Sequence, residues 1–164
     1  PERCGRWGSC VPFLPVDGVK VLTSREAMVL TEIPRSLVII GAGPIGVEFA
    51  WFFRAFGAEV TLVEMLPQVL PFEDEEIAAE LTKQFTRSGI RILTETKLEQ
   101  AQVSNDGVTL SFSGKSPETI EAEKVLVACV SLMKYSPLGR LCRCRVIVCP
   151  LRFFICFICC PNEL

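Results

Sequence analysis

Three glycines and one acid carry the clearest chemistry in this 164-residue chain. They are Gly41, Gly43 and Gly46, spaced Gly-x-Gly-x-x-Gly, and Glu64, eighteen residues after the last of them. Glycines at this spacing free a run of backbone N–H groups to face an anion, because no Cβ stands in the way. Gly41 lets the chain turn sharply, Gly43 lets a pyrophosphate approach the backbone, and Gly46 lets the following helix pack close to the strand. An acid about 20 residues further on accepts hydrogen bonds from ribose hydroxyls and repels a 2′-phosphate. The set spells a dinucleotide site that favours NAD over NADP. The competing reading is a plain glycine turn and a surface Glu capping a strand.

Other chemistries are scarce. The chain has no histidine, so no imidazole serves as acid, base or metal ligand. Of nine cysteines, seven lie between Cys129 and Cys160 and none lies between Cys10 and Cys129. The organised part therefore reads as a protein of a reducing compartment rather than a disulfide scaffold. Cys156-Phe-Ile-Cys159 is one Cys-x-x-Cys without a second pair, which is little support for zinc. Cys144 and Cys149 have four residues between them but not the context of a redox helix. A net charge of −2 and a pI near 5.3 leave no electrostatic footprint for nucleic acid. The apolar run Phe153–Cys160 is far shorter than the ~20 residues of a membrane helix.

The elements around the glycines agree with the dinucleotide reading. Leu37-Val38-Ile39-Ile40 reads as a buried strand running into the glycine turn, and Pro44 suits the first turn of the helix that follows. That helix spans about Ile45 to Phe56, with Ile45, Phe49, Phe52, Phe53 and Phe56 as an apolar stripe. Glu48 lies one turn inside it, and its face, solvent or cleft, stays open at this stage. Gly57 leads into a second strand, Glu59–Val63, which ends at Glu64. The acids Glu73–Glu76 suit the positive end of a second helix rather than a metal site. Ile77, Leu81 and Phe85 are its expected buried face; Ser88-Gly89 ends it and Ile90–Leu93 is a third strand.

Earlier in the chain, Lys20-Val21-Leu22 reads as a short extended piece. Thr23 or Ser24 then caps a short helix over Arg25–Leu30. From Leu98 the period becomes two. Leu98–Val103, a turn at Asn105-Asp106-Gly107, Val108–Phe112 and Thr119–Glu121 read as a three-stranded meander. Lys124–Ala128 is a further parallel strand. The expected fold is α/β: a Rossmann-like doubly wound parallel sheet, right-handed, with an antiparallel meander where a crossover helix might stand. Residues 14–128 form the domain, residues 1–13 are irregular, and residues 129–164 are an aberrant, poorly ordered, cysteine-rich tail. Beginning at Pro1 and without an apolar leader, the chain is expected to be a fragment with no signal peptide.

From about Leu14 to Ala128 the chain resembles the NAD-binding domain of the FAD-dependent pyridine nucleotide-disulfide oxidoreductases, and among them the dihydrolipoamide dehydrogenases most. The resemblance rests on Val21–Ala27, Ile33-Pro34, Gly41–Glu48, Phe56-Gly57-Ala58, Val60-Thr61 and Val63-Glu64-Met65. Further matches are Leu70-Pro71, Asp74-Glu75-Glu76, Gly89-Ile90 and Thr96-Lys97-Leu98, and the meander fits as well. It implies that Gly41, Gly43 and Gly46, with the helix N-terminus, hold the NAD pyrophosphate, that Ala42, Ile45 and Val47 belong to the same cofactor-binding stretch, that Pro44 stands at a variable position next to the nicotinamide pocket, and that Glu64 holds the adenosine ribose. It also implies that Glu48 stands beside nicotinamide and flavin, and that Leu98 lines the cleft.

NAD(H) is the implied ligand. FAD, a flavin lobe and a dimer partner are implied for the intact family enzyme, in the cytoplasm or the mitochondrial matrix; no nucleic acid or membrane is implied. The chain departs from the family after Ala128, where Val130 stands in place of a cofactor-contacting glycine. It also shows no flavin lobe with its Cys pair and no His-Glu pair, so turnover by this chain is not expected. Three other readings remain: a non-catalytic dinucleotide-binding module, a related NADH oxidase or mercuric reductase, and a cysteine-rich metal or membrane protein judged from the tail.

Overall fold

The computed structural model describes residues 11, 14–115, 117–129, 146–148 and 155–157. The chain divides into two units, Pro1–Ser131 and Leu132–Leu164. In the second, β-strands Val146–Val148 and Ile155–Phe157 pair antiparallel, with Cys156 opposite Ile147. Most of the tail, including Val130, lies outside the described residues, as does most of segment 1–13.

The first unit runs β1 (Val21–Thr23), α1 (Ser24–Met28), β2 (Ser36–Ile40), α2 (Pro44–Ala55), β3 (Glu59–Val63), α3 (Glu75–Arg87) and β4 (Arg91–Leu93). It continues with β5 (Thr96–Val103), β6 (Val108–Gly114), β7 (Glu118–Ala122) and β8 (Lys124–Val127). Five strands form one parallel sheet in the order β1-β8-β2-β3-β4. Strands β5, β6 and β7 form a separate antiparallel sheet, bulged between Leu98 and Gln100. The Rossmann-like sheet with an antiparallel meander is thus the architecture. Its edge strand is Val21–Thr23, one residue on from the Lys20–Leu22 read as a short extended piece: Val21 sits opposite Val125 in parallel register.

Alternation along the parallel strands divides the core in two. Leu37 and Ile39 of β2, with Leu62 and Leu126, face α2 and α3 and bury Phe53, Ala50, Ala78 and Phe85. Val38 and Ile40, with Val63, Val125 and Val127, face the meander and bury Leu98, Val108, Leu110 and Phe112. The helices therefore cover one face and the meander covers the other. At about 25 cal/mol per Å² of buried apolar area, such two-sided strands supply the main drive for folding.

Local chemistry fixes the helix ends. Thr23 and Glu26 form a reciprocal capping box on α1, and their side chains hydrogen-bond each other. That bond, assisted by the Thr23 backbone N–H, holds the Glu26 carboxyl below its ordinary value. Asp74 caps α3, accepting the Glu76 N–H at 2.9 Å, so the acid run is a helix start. Arg54 fastens the end of α2 to the turn after α3, with Nε donating to Ser88 O at 2.7 Å and Nη1 to Ala58 O at 3.2 Å.

Two expected core residues are outside. Ile77 is 63% exposed, because α3 buries the neighbouring stripe of Ala78 and Phe85. Phe56 is 62% exposed; it is the C-cap residue of α2, its N–H donating to Phe52 O at 3.2 Å and its ring lying against that of Phe52, centroids 4.8 Å apart. Helix α1 stops at Met28, two residues short of Leu30.

Candidate functional site

Strand β2 delivers the chain to Gly41, whose φ of +104° is a turn conformation that L side chains rarely adopt. The Gly41 N–H donates to Val63 O at 2.8 Å, which holds the loop to the end of β3. A Cβ on Gly41 would lie 2.8 Å from the Cys129 nitrogen, so the backbone after β8 closes the loop from the other side. A Cβ on Gly46 would lie 1.9 Å from Gly41 O. The close approach that Gly46 permits is therefore of α2 onto the glycine loop itself. A Cβ on Gly43 would meet nothing within 4 Å. The first and last glycines are pinned by the protein, and the middle one faces open space.

Gly43 is the N-cap of α2 and Pro44 its first residue. The first helical bond is Val47 N–H to Gly43 O, 3.0 Å. The N–H groups of Gly43, Ile45 and Gly46 have no partner among the described residues. They sit at the positive end of a 12-residue helix, beside the space over Gly43. Such an arrangement accepts an anionic oxygen with no rearrangement of the backbone.

Glu64 reaches this loop. Its Oε2 accepts the Ala42 N–H at 2.7 Å and its Oε1 accepts the Leu66 N–H at 3.0 Å. A carboxylate has about four lone-pair sites, so each oxygen keeps acceptor capacity for a further donor. Ala42 itself is fully buried, and its carbonyl accepts the Leu70 N–H at 2.8 Å. Leu70 has φ +48°, a left-handed conformation that is uncommon for leucine.

The remaining candidates are placed as follows. Pro44 is exposed, Ile45 half-buried and Val47 buried against the sheet. Glu48 is half-buried and makes no hydrogen bond or ion pair with a described residue; burial holds its carboxyl above the ordinary value of 4.5. Leu98 is 6% exposed and packs in the core under the meander. Gly41–Val47 and Glu64 are thus brought together, while Leu98 is a core side chain with little surface to offer.

Sequence reasoning missed Leu70 and Cys129. The Cys129 thiol donates to Ile40 O at 3.4 Å, and burial, with Glu64 nearby, pushes its pKa up. Nothing in the residue types signals either contact. Two clefts lie apart from the loop, one of about 460 Å³ beside Ser36, Arg54, Glu59 and Arg91, the other of about 280 Å³ beside Trp51 and Ser88. Among the described residues no cluster of three or more Cys, Asp or Glu could hold a metal, and no helix is long and apolar enough to cross a membrane.

A parallel sheet with a glycine loop running into a helix, and an acid on the neighbouring strand end, defines the class of Rossmann-like nucleotide folds. A family model described as pyridine nucleotide-disulphide oxidoreductase matches residues 8–130, and the chain belongs to that family. It is 42% identical over 120 residues to a dihydrolipoyl dehydrogenase of Chlorobaculum tepidum, covering 72% of this chain and 26% of the relative. To a dihydrolipoyl dehydrogenase of Mycobacterium leprae it is 44% identical over 112 residues, covering 66% and 23%. The crystal structure of LpdA from Mycobacterium tuberculosis matches with a TM-score of 0.69 at 28% identity, covering 81% of this chain and 28% of that one. The chain spans about a quarter of the length of the curated relatives it matches.

Proposed function

We propose that residues 14–128 are the NAD(H)-binding domain of a dihydrolipoamide dehydrogenase-like flavoprotein. The observation that carries this reading is the open space over Gly43, flanked by the N–H groups of Gly43, Ile45 and Gly46, which have no partner among the described residues. A pyrophosphate fits that cradle, and a side chain at Gly43 would fill it. The loop N–H groups bind the phosphate oxygens, and the Glu64 oxygens accept the adenosine ribose hydroxyls with their remaining lone pairs. Because Glu64 is already anchored on Ala42 and Leu66, it does not have to be ordered when ligand arrives. A 2′-phosphate would meet this carboxylate and be repelled.

NAD, when bound, supplies a hydride acceptor. This chain's residues position it: the loop holds the phosphates, and Glu48, half-buried and without a partner among the described residues, stands one turn further along α2. The family layout puts FAD and the dimer contacts on other lobes, and this span alone is proposed to bind without turnover. The absence of histidine supports that, since no imidazole is at hand to move a proton. The same absence favours, as a second reading, a binding module that acts without catalysis.

The test is a titration of the full chain with NADH, following nicotinamide fluorescence, beside an assay with dihydrolipoamide, NAD and added FAD. Saturable binding without NADH formation is the expected result. A folded chain that leaves NADH fluorescence unchanged would remove the proposal, and measurable turnover would remove its second half.

A further inference from the structure

We infer that Leu70 is a positioning residue for the phosphate loop, acting through its backbone N–H and not through its side chain. This rests on the dinucleotide reading of the loop. Ala42 lies in the middle of Gly41-Ala42-Gly43, and the segment after β3 grips the peptide units on both sides of it. The Glu64 carboxylate takes the Ala42 N–H at 2.7 Å, and the Leu70 N–H donates to the Ala42 carbonyl at 2.8 Å. The N–H belongs to the Gly41–Ala42 peptide and the carbonyl to the Ala42–Gly43 peptide, so neither peptide plane can rotate without breaking a hydrogen bond at this fully buried residue.

Three features make the second grip specific to the backbone. Val69, next to Leu70, is fully buried and anchors the segment in the core. Leu70 then adopts φ +48°, so the chain turns away directly after the N–H that meets the loop. A left-handed leucine carries a conformational penalty, so the surrounding contacts must hold it there. The Ala42 carbonyl shares its peptide plane with the Gly43 N–H, so the Leu70 bond fixes the direction of that N–H beside the open space over Gly43. Segment 64–70 therefore couples ribose recognition to phosphate recognition, because Glu64 belongs to both.

The experiment compares NADH binding by the full-length wild type, Leu70→Gly and Leu70→Pro, with thermal unfolding of each. Glycine deletes the whole side chain but keeps the N–H and accepts positive φ; proline removes the N–H and forbids that φ. Leu70→Gly is expected to bind within about threefold of wild type, and Leu70→Pro about tenfold or more weaker with cooperative unfolding retained. If Leu70→Pro does not fold, a Leu70 α-hydroxy-acid analogue removes the N–H alone, with an expected loss of about three- to tenfold. A packing role would reverse the order, with Leu70→Gly weak. That order, or wild-type affinity in the proline and ester variants, would overturn the inference. A wild type that does not bind NADH would instead remove the dinucleotide reading on which it stands.

Discussion

Gly43 and Gly46 lie three positions apart, yet alanine at each should fail in opposite ways. At Gly46 the added methyl would stand 1.9 Å from the Gly41 carbonyl oxygen and 3.1 Å from its carbon. Both are backbone atoms of a residue at φ +104°, itself closed in by Cys129, so the obstacle has no soft direction in which to move. Overpacking of this kind costs about 1–3 kcal/mol, and a rigid backbone obstacle puts Gly46→Ala at about the upper end. At about 4 °C per kcal/mol for a domain of this size, its melting temperature should fall by about 12 °C. At Gly43 the methyl meets nothing, and φ is −72°. The loss of a favourable N-cap glycine and the gain from a stiffer unfolded chain offset each other to within about 1 kcal/mol. Gly43→Ala should therefore melt close to wild type but lose NADH binding by about tenfold or more, since its methyl occupies the cradle. Circular dichroism melts and fluorescence titrations measure the two effects. The reasoning is refuted if Gly46→Ala melts within about 3 °C of wild type, or if Gly43→Ala binds NADH as wild type does.

Two further predictions concern α2. Burial raises the Glu48 carboxyl above 4.5, so just above that pH the folded chain holds a proton that the unfolded chain releases. Stability then falls as pH rises through this window, and ionised Glu48 opposes folding at neutral pH. Glu48→Gln should be more stable than wild type at pH 7, with the difference closing toward pH 4; a pH-independent difference in melting temperature would contradict this. Arg54→Ala removes both side-chain bonds that join α2 to the turns at Ala58 and Ser88, and should lower stability by about 2 kcal/mol in urea unfolding.

What was legible in the sequence was what short-range physics dictates. The run Leu37–Ile40 is apolar on both faces because helices cover one face and the meander the other, and it reads as a core strand on sight. The Thr23/Glu26 box and Asp74 fix helix starts through contacts two to three residues apart. The glycine loop was legible because each glycine answers a different steric demand. The hidden part depends on which segments meet across the fold. Val21–Thr23 becomes a strand only because Val125–Val127 lies beside it, about a hundred residues later. Ile77 and Phe56 fit a helical apolar stripe in sequence, but α3 buries the neighbouring stripe of Ala78 and Phe85, and Phe56 falls at the C-cap of α2. Leu98 carries the family's pattern, and the meander's packing puts it in the core. No residue preference announces a left-handed leucine gripping Ala42 from 28 residues away.

The most direct test of a working dinucleotide site is the ratio of NADH to NADPH affinity in the wild type and in Glu64→Ala. The wild type should bind NADH saturably and at least about tenfold tighter than NADPH. Glu64→Ala should weaken NADH binding and largely abolish that preference, because one carboxylate both accepts the ribose hydroxyls and repels the 2′-phosphate. Equal affinities in the wild type, or a preference unchanged in Glu64→Ala, would contradict the role given to Glu64 and to the loop it holds.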